Sequence, residues 1–291
     1  MLAVVLSLAA AATFAVSALL IDRVPGRVGP LQLARWQLAI GFVLTAAAML
    51  ILGSWRSIGW TQFWWLAGSS TAGIMLATTT FIATIQRIGA RLNALVFTLS
   101  APFAVALGWI FRGETVNMMQ GAGVALILLG IACAILGPGA KEELRSPKAL
   151  GTGLVLGVIT ALGQATGSLL ARPAMEAGVE PFAAMAVRSG LGALFFVALL
   201  ALPALRPQAR PEPQAQRLIG LSALTGIFGG MSLLMAALAV GDVGIVTTLS
   251  STAPILILPM VWLLSRRAPT GMAWAGAALA VAGTAVITLA A

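Results

Sequence analysis

Arg35 and Arg188 stand 153 residues apart, and each lies roughly one to two turns inside a long apolar stretch. A guanidinium at that depth is expensive. It either snorkels towards water or offers its bidentate fork to a carboxylate. Ser100-Ala101-Pro102 likewise returns as Thr252-Ala253-Pro254, 152 residues later. Each proline lacks an N–H, so the carbonyl four residues back, that of Thr98 or Ser250, loses its helical donor. Beside a bend, such a carbonyl is a polar contact and a hinge, or only a packing kink. Pro102 and Pro254 are therefore candidate hinges, and Arg35 and Arg188 candidate carboxylate-binding residues.

Other chemistry is largely excluded. Histidine is absent and Cys133 is the lone cysteine, which removes imidazole metal sites, Ser-His triads, intrachain disulfides and thiolate clusters. No catalytic residue, metal or cofactor is expected. Asp22, Glu114, Glu142, Glu143, Glu176, Glu180, Glu212 and Asp242 all fall at segment ends or in loops. A proton-driven carrier ordinarily keeps a titratable group at depth. Movement down a concentration gradient therefore fits better than a carboxylate relay.

The elements that must position these residues can be read from composition. The chain is 60% hydrophobic and 9% charged, which points to a polytopic membrane protein. Its +9 charge comes from arginines and lysines that mostly flank apolar runs, so it reads as loop topology and not as nucleic-acid binding. With about 20 apolar residues per span, ten helices are expected. They are Leu2–Ile21, Pro30–Leu52, Gln62–Ile85, Leu92–Phe111, Asn117–Leu136, Leu150–Ala171, Pro181–Leu202, Leu218–Val240, Val243–Leu264 and Gly271–Ala290. Leu2–Ile21 lacks a basic leading region and is read as a retained helix. Residues 1–137 and 150–291 form the two halves, joined by a polar linker at 138–149. Pro203–Arg217 is expected to be extended. Trp55, Trp60, Trp64, Trp65, Trp109, Trp262 and Trp274 gather near expected helix ends as interfacial anchors.

The halves repeat. Gly68 and Gly220, Ser70 and Ser222, Thr80 and Ser232, and Gly89 and Gly241 share the 152-residue offset; Gly123 and Gly276, and Gly130 and Gly283, share 153. One unit used twice, spanning an odd number of times, gives copies of opposite direction. In the fifth and tenth spans the glycines are seven residues apart, on one face, which permits close helix approach and marks scaffold. Hydroxyl and amide side chains concentrate elsewhere. Either they back-bond to the preceding turn or they line a polar central cavity.

Ten spans in two such units resemble the drug/metabolite transporter superfamily, in its EamA-type branch. The carrying residues are the Gly89/Gly241 turns, Pro102/Pro254, Arg35/Arg188 and the string Gly113-Glu114, Gln120, Gly123, Gly130. The second half departs from that string, with Arg266-Arg267 for Gly-Glu and Ala273 for Gln. Within the branch the chain is similar to YddG-like exporters of amino acids, aromatic ones included. The resemblance implies an all-α integral membrane protein with two inverted five-helix repeats around a central cavity. It implies export by alternating access through a monomer in a bacterial inner membrane, with lipid and a small metabolite as partners and no nucleic acid. Carried onto this sequence, the lining residues are Phe14, Ser17, Thr78, Phe81, Phe97, Ser100, Gln164, Ser168, Ser232, Ser251 and Thr252. The resemblance also implies cytoplasmic termini. Yet loops after odd-numbered spans hold 12 Lys/Arg and those after even-numbered spans three, which by the positive-inside rule places the termini outside. Thiol labelling of a cysteine near Glu142 in intact cells decides the orientation.

Overall fold

A computed structural model of the chain describes residues 1–24, 28–136, 147–205, 211–253, 255–256, 259–260 and 271–289. The described residues are helical with short connections, and no strand occurs among them. In chain order the helices are α1 (Leu2–Asp22), α2 (Pro30–Ile51), α3 (Trp60–Ser70), α4 (Ala77–Phe97), α5 (Ser100–Arg112) and α6 (Met118–Leu136). After them come α7 (Pro147–Glu176), α8 (Pro181–Ala198), α9 (Pro213–Ser222), α10 (Ser232–Val240), α11 (Val243–Ser250) and α12 (Gly271–Leu289). Proline opens α2, α8 and α9 after an extended residue, where its missing N–H costs no helical bond. Among the described residues, six helical runs are long and apolar enough to cross a membrane: Leu2–Ile21, Pro30–Ile51, Trp60–Ile88, Leu150–Glu176, Pro181–Ala201 and Pro213–Val240.

Two of the expected spans are composite. A π-helical segment, Thr71–Leu76, joins α3 to α4, and a second, Ala223–Met231, joins α9 to α10. Their first residues are 152 apart, the offset of the repeat. A second departure lies in α4. Phe81 and Phe97 would be about 24 Å apart along a straight helix. Their rings are 5.9 Å apart, so the chain doubles back between them although its hydrogen bonding stays helical. Val96 and Thr84 accordingly both approach Gly157. Gly89 lies within this reversal, whereas Gly241 forms an extended turn between α10 and α11.

Some expected boundaries move. The linker's residues 147–149 already belong to α7, which Pro147 opens, and α9 begins at Pro213 inside the stretch expected to be extended. Residues 138–146 of the linker, Pro254, Trp262 and the Arg266-Arg267 pair lie outside the described residues.

α6 and α12 cross through their glycines. A Cβ on Gly130 would lie 2.5 Å from the Gly276 carbonyl oxygen, and one on Gly283 would lie 2.6 Å from that of Gly123. The pairing makes the two helices antiparallel. The main core is rich in alanine, including Ala10, Ala104, Ala165, Ala171, Ala183 and Ala237, with Met185, Leu234 and Met235. Small residues let membrane helices approach where no hydrophobic force separates protein from lipid. Trp55, Trp60, Trp64, Trp65, Trp109 and Trp274 are exposed, as interfacial anchors are.

Candidate functional site

The repeat places one arginine on α2 and one on α8, and the structure buries both. Arg188 is only 1% exposed, so the snorkelling alternative fails for it. It lies seven residues inside α8, about 10 Å from the helix start. Its Nη1 faces the sulfurs of Met235 at 3.2 Å and Met185 at 3.6 Å, and its Nε has no partner. No carboxylate pairs with it among the described residues. A π-helical turn and two glycines make its slot. A Cβ on Gly73 would lie 3.3 Å from Arg188 Nη2 and 3.1 Å from the Cα of Gly167. Ser70 Oγ donates to the Arg188 carbonyl at 2.7 Å, and Ser69 Oγ to that of Gly167 at 2.5 Å. Both bonds pin α3 against the second half.

Arg35 is less isolated. Its Nε donates to the Phe196 carbonyl at 3.0 Å, while one Nη is buried without a partner. Near it the second π-helical segment meets α1 and α2 in the same manner. Ser17 Oγ donates to the Ser222 carbonyl at 2.9 Å, and Gln37 Nε2 to Ser222 Oγ at 2.9 Å. Gly226 and Gly230 leave room for Ser17 and Phe14. Gln37 lies outside the expected lining. Its signal is a lone amide facing Ser222, the partner of Ser70 in the repeat.

The other expected lining residues divide by what they touch. Ser251 and Thr252 donate back to carbonyls of α11, and Thr71, Thr79 and Thr84 likewise donate to carbonyls four residues before them. For these the back-bonding alternative holds. Ser100 and Ser232 are buried with unpartnered hydroxyls, as are Thr247 and Ser250, which lie outside the expected lining. Ser168 is buried, and Thr78 and Gln164 are half-buried. Phe81 and Phe97 meet edge to face at the reversal.

Pro102 sits in the first turn of α5, just after the break at Thr98–Leu99. The Thr98 carbonyl is not left free: Ala101 N–H donates to it at 3.1 Å, because the tightened turn supplies a donor one residue before the proline. A groove of about 510 Å³ opens beside Pro102, lined also by Val105, Trp109, Glu114, Val116 and Val124. It lies between α5 and α6. Of the expected lining and hinge residues among those described, only Pro102 reaches it.

Comparison with known proteins adds the family. The model of the EamA-like transporter family matches residues 1–136 and again 151–289. The chain belongs to the EamA-like transporter family. It is thus a multi-pass integral membrane protein of a family that moves small molecules across the lipid bilayer. A solved structure titled only as the crystal structure of a protein aligns with a TM-score of 0.84 at 20% identity, covering 99% of this chain and 97% of the other. That likeness is one of fold. A sodium-calcium exchanger structure aligns at 19% identity over 100% of this chain and 96% of its own, with a TM-score of 0.19. Among curated proteins, none matches the sequence.

The string that suggested this EamA-like transporter now has a physical reading. Gly113 closes α5 with φ +65°, and Glu114 N–H returns to the Gly108 carbonyl at 3.2 Å. Only glycine takes that backbone cheaply. Asn117 and Gln120 exchange side-chain bonds at 3.1 and 2.7 Å to cap α6, a reciprocal capping box. Glu114 is carried over the start of α11, where its Oε2 accepts from Val243 N–H at 3.0 Å. Its other oxygen meets Arg172 on α7. Arg172 Nε also pairs with Glu176 at 2.8 Å and its Nη2 with Asp242 at 3.2 Å, while Arg112 pairs with Glu176. Burial pushes the Glu114 carboxyl above its ordinary value, against the pull of Arg172. The Asp242 charge adds to the rise, and the Val243 N–H and Arg112 oppose it. On the sequence these acids are single loop residues; folding gathers them.

Proposed function

We propose that this transporter exports small carboxylate-bearing metabolites, above all amino acids and among them aromatic ones, by alternating access. The observation that carries this reading is Arg188, a guanidinium at membrane depth with no carboxylate partner among the described residues. Burying a charge without compensation is costly. A substrate carboxylate arriving at Arg188, or at the unpartnered nitrogen of Arg35, supplies the missing charge-assisted bonds. Every acidic residue of the sequence sits at a segment end or in a loop, so the interior favours anions and zwitterions over cations. It also lacks a carboxylate for a deep proton relay. Phe14, Ser17, Thr78, Phe81, Phe97, Ser100, Gln164, Ser168, Ser232, Ser251 and Thr252 are the proposed lining, with Pro102 and Pro254 as hinges.

The architecture proposed with it is ten spans in two inverted five-helix repeats, 1–137 and 150–291, with 138–149 as linker. The antiparallel crossing of the equivalent helices α6 and α12 supports the inversion. The matched π-helical segments support the repeat. A monomer in a bacterial inner membrane completes the proposal.

Purified protein in liposomes, offered a panel of labelled amino acids and neutral analogues, is expected to move the former. Flux of lipophilic compounds with none of the amino acids sinks the substrate assignment. Replacing Pro102 and Pro254 by alanine is expected to lower that flux several-fold, with folded yield changed far less. Unchanged flux in both variants removes the hinge role.

A further inference from the structure

The ion-pair cluster joining α5, α7 and α11 has no counterpart in the sequence of the other repeat. The 153-residue offset carries Glu114 to Arg267, a second cation in place of the bridging carboxylate. The 152-residue offset carries Asp242 back to Ala90. The cluster also spans chain-distant elements. Arg172 touches acids 58 and 70 residues away as well as Glu176 on its own helix. The central pair is secluded, with Arg172 and Glu114 side chains 13% and 8% exposed. Removing one partner from so desolvated a pair costs more than it does at an open surface. Ser168, one turn inward of Arg172 on α7, is 1% exposed.

We propose that Glu114, Arg172, Glu176 and Asp242 form a one-sided gate that must part before solute can pass the α5–α7–α11 end. The proposal rests on the transport reading. Arg172 is the hub. Without it three carboxylates face one another across α5, α7 and α11, with Arg112 as the remaining cation of the cluster, and their repulsion drives the ends apart. The sequence of the other repeat puts Arg267 and Ala90 where this cluster has Glu114 and Asp242, so the same lock is not repeated there and the two faces open against unequal barriers.

The test needs no substrate. In a Cys133→Ser background, Ser168→Cys is labelled in detergent with a charged methanethiosulfonate reagent. Arg172→Gln is expected to raise the labelling rate roughly tenfold or more, while Arg172→Lys, which keeps the charge, stays near the parent rate. An unchanged rate in Arg172→Gln overturns the gate. So does an equal rise in both variants, because the charge would then not be what holds the ends. Thr84→Cys, 0% exposed on α4 and packed near Gly157 far along α7 from Arg172, reports general loosening. Should its reactivity rise too, Asp242→Asn carries the same expectation at a more exposed position. Fast labelling together with absent amino-acid flux in the parent defeats the substrate reading and leaves the gate; the reverse result defeats the gate alone.

Discussion

Arg188→Met is expected to give a protein that is more stable than the parent and no longer carries carboxylate substrates. The stability half rests on burial. Arg188 is 1% exposed, and its Nε finds no partner. Replacing buried ionic groups by apolar ones of similar volume commonly stabilises a fold by about 1–4 kcal/mol. Methionine suits a slot already walled by Met185 and Met235, and its flexible chain fills irregular space. The transport half rests on the same geometry. Losing one partner of a desolvated charge pair costs about 2–5 kcal/mol, a fall of roughly thirtyfold or more in flux. Thermal unfolding in detergent checks the first half, and liposome flux of carboxylate and neutral analogues the second. Neutral analogues should be spared. A destabilised Arg188→Met assigns the residue to structure, and unchanged carboxylate flux removes it from the site.

Gly283→Leu, at the crossing of α6 and α12, is expected to abolish the folded protein. Even a Cβ there would fall 2.6 Å from the Gly123 carbonyl oxygen and 2.8 Å from Ile127 Cγ1. A carbonyl on a helix backbone cannot swing aside as a side-chain tip can, so the helices must separate. Overpacking of a tight interface costs about 1–3 kcal/mol for added methylenes, and four added carbons against backbone lie at or beyond the upper end. Gly130→Leu, 2.5 Å from the Gly276 carbonyl oxygen at Cβ, should behave alike. Gly121→Leu, with nothing within 4 Å of its Cβ on the same α6, is the control. Monodisperse yield after detergent extraction reads the outcome. Wild-type yield from Gly283→Leu would place the crossing elsewhere.

What the sequence disclosed depended on the kind of signal. The seven-residue glycine spacing fixed a helix face, so α6 and α12 were each readable as closely approached scaffold helices; that they meet each other needed the fold. The repeat offset also made the buried arginines readable as a pair. Their surroundings were not, because Met235 and Gly73 reach Arg188 from distant parts of the chain. The π-helical segments were invisible for a different reason: a wide turn changes hydrogen-bond register and leaves hydrophobic periodicity nearly intact over six residues. Back-bonding could not be told from cavity lining by residue type. Thr252 and Ser100 occupy matching positions, yet one hydroxyl is satisfied by a carbonyl of the preceding turn and the other is not.

The two wide turns also fix rotational phase. An α-helix turns about 100° per residue, and a π-helical turn accommodates one residue more before closing its bond. Relaxing Thr71–Leu76 to α with all its residues kept would rotate α4 by about 100° relative to α3, the share of a turn that one residue takes. Thr80 would then swing away from Thr160, which now donates to it at 2.7 Å. The same relaxation in Ala223–Met231 would turn Met235 off Arg188. Most proteins absorb a length change in a loop; this one has two mid-helix places where a single residue decides which side chains its halves present to each other.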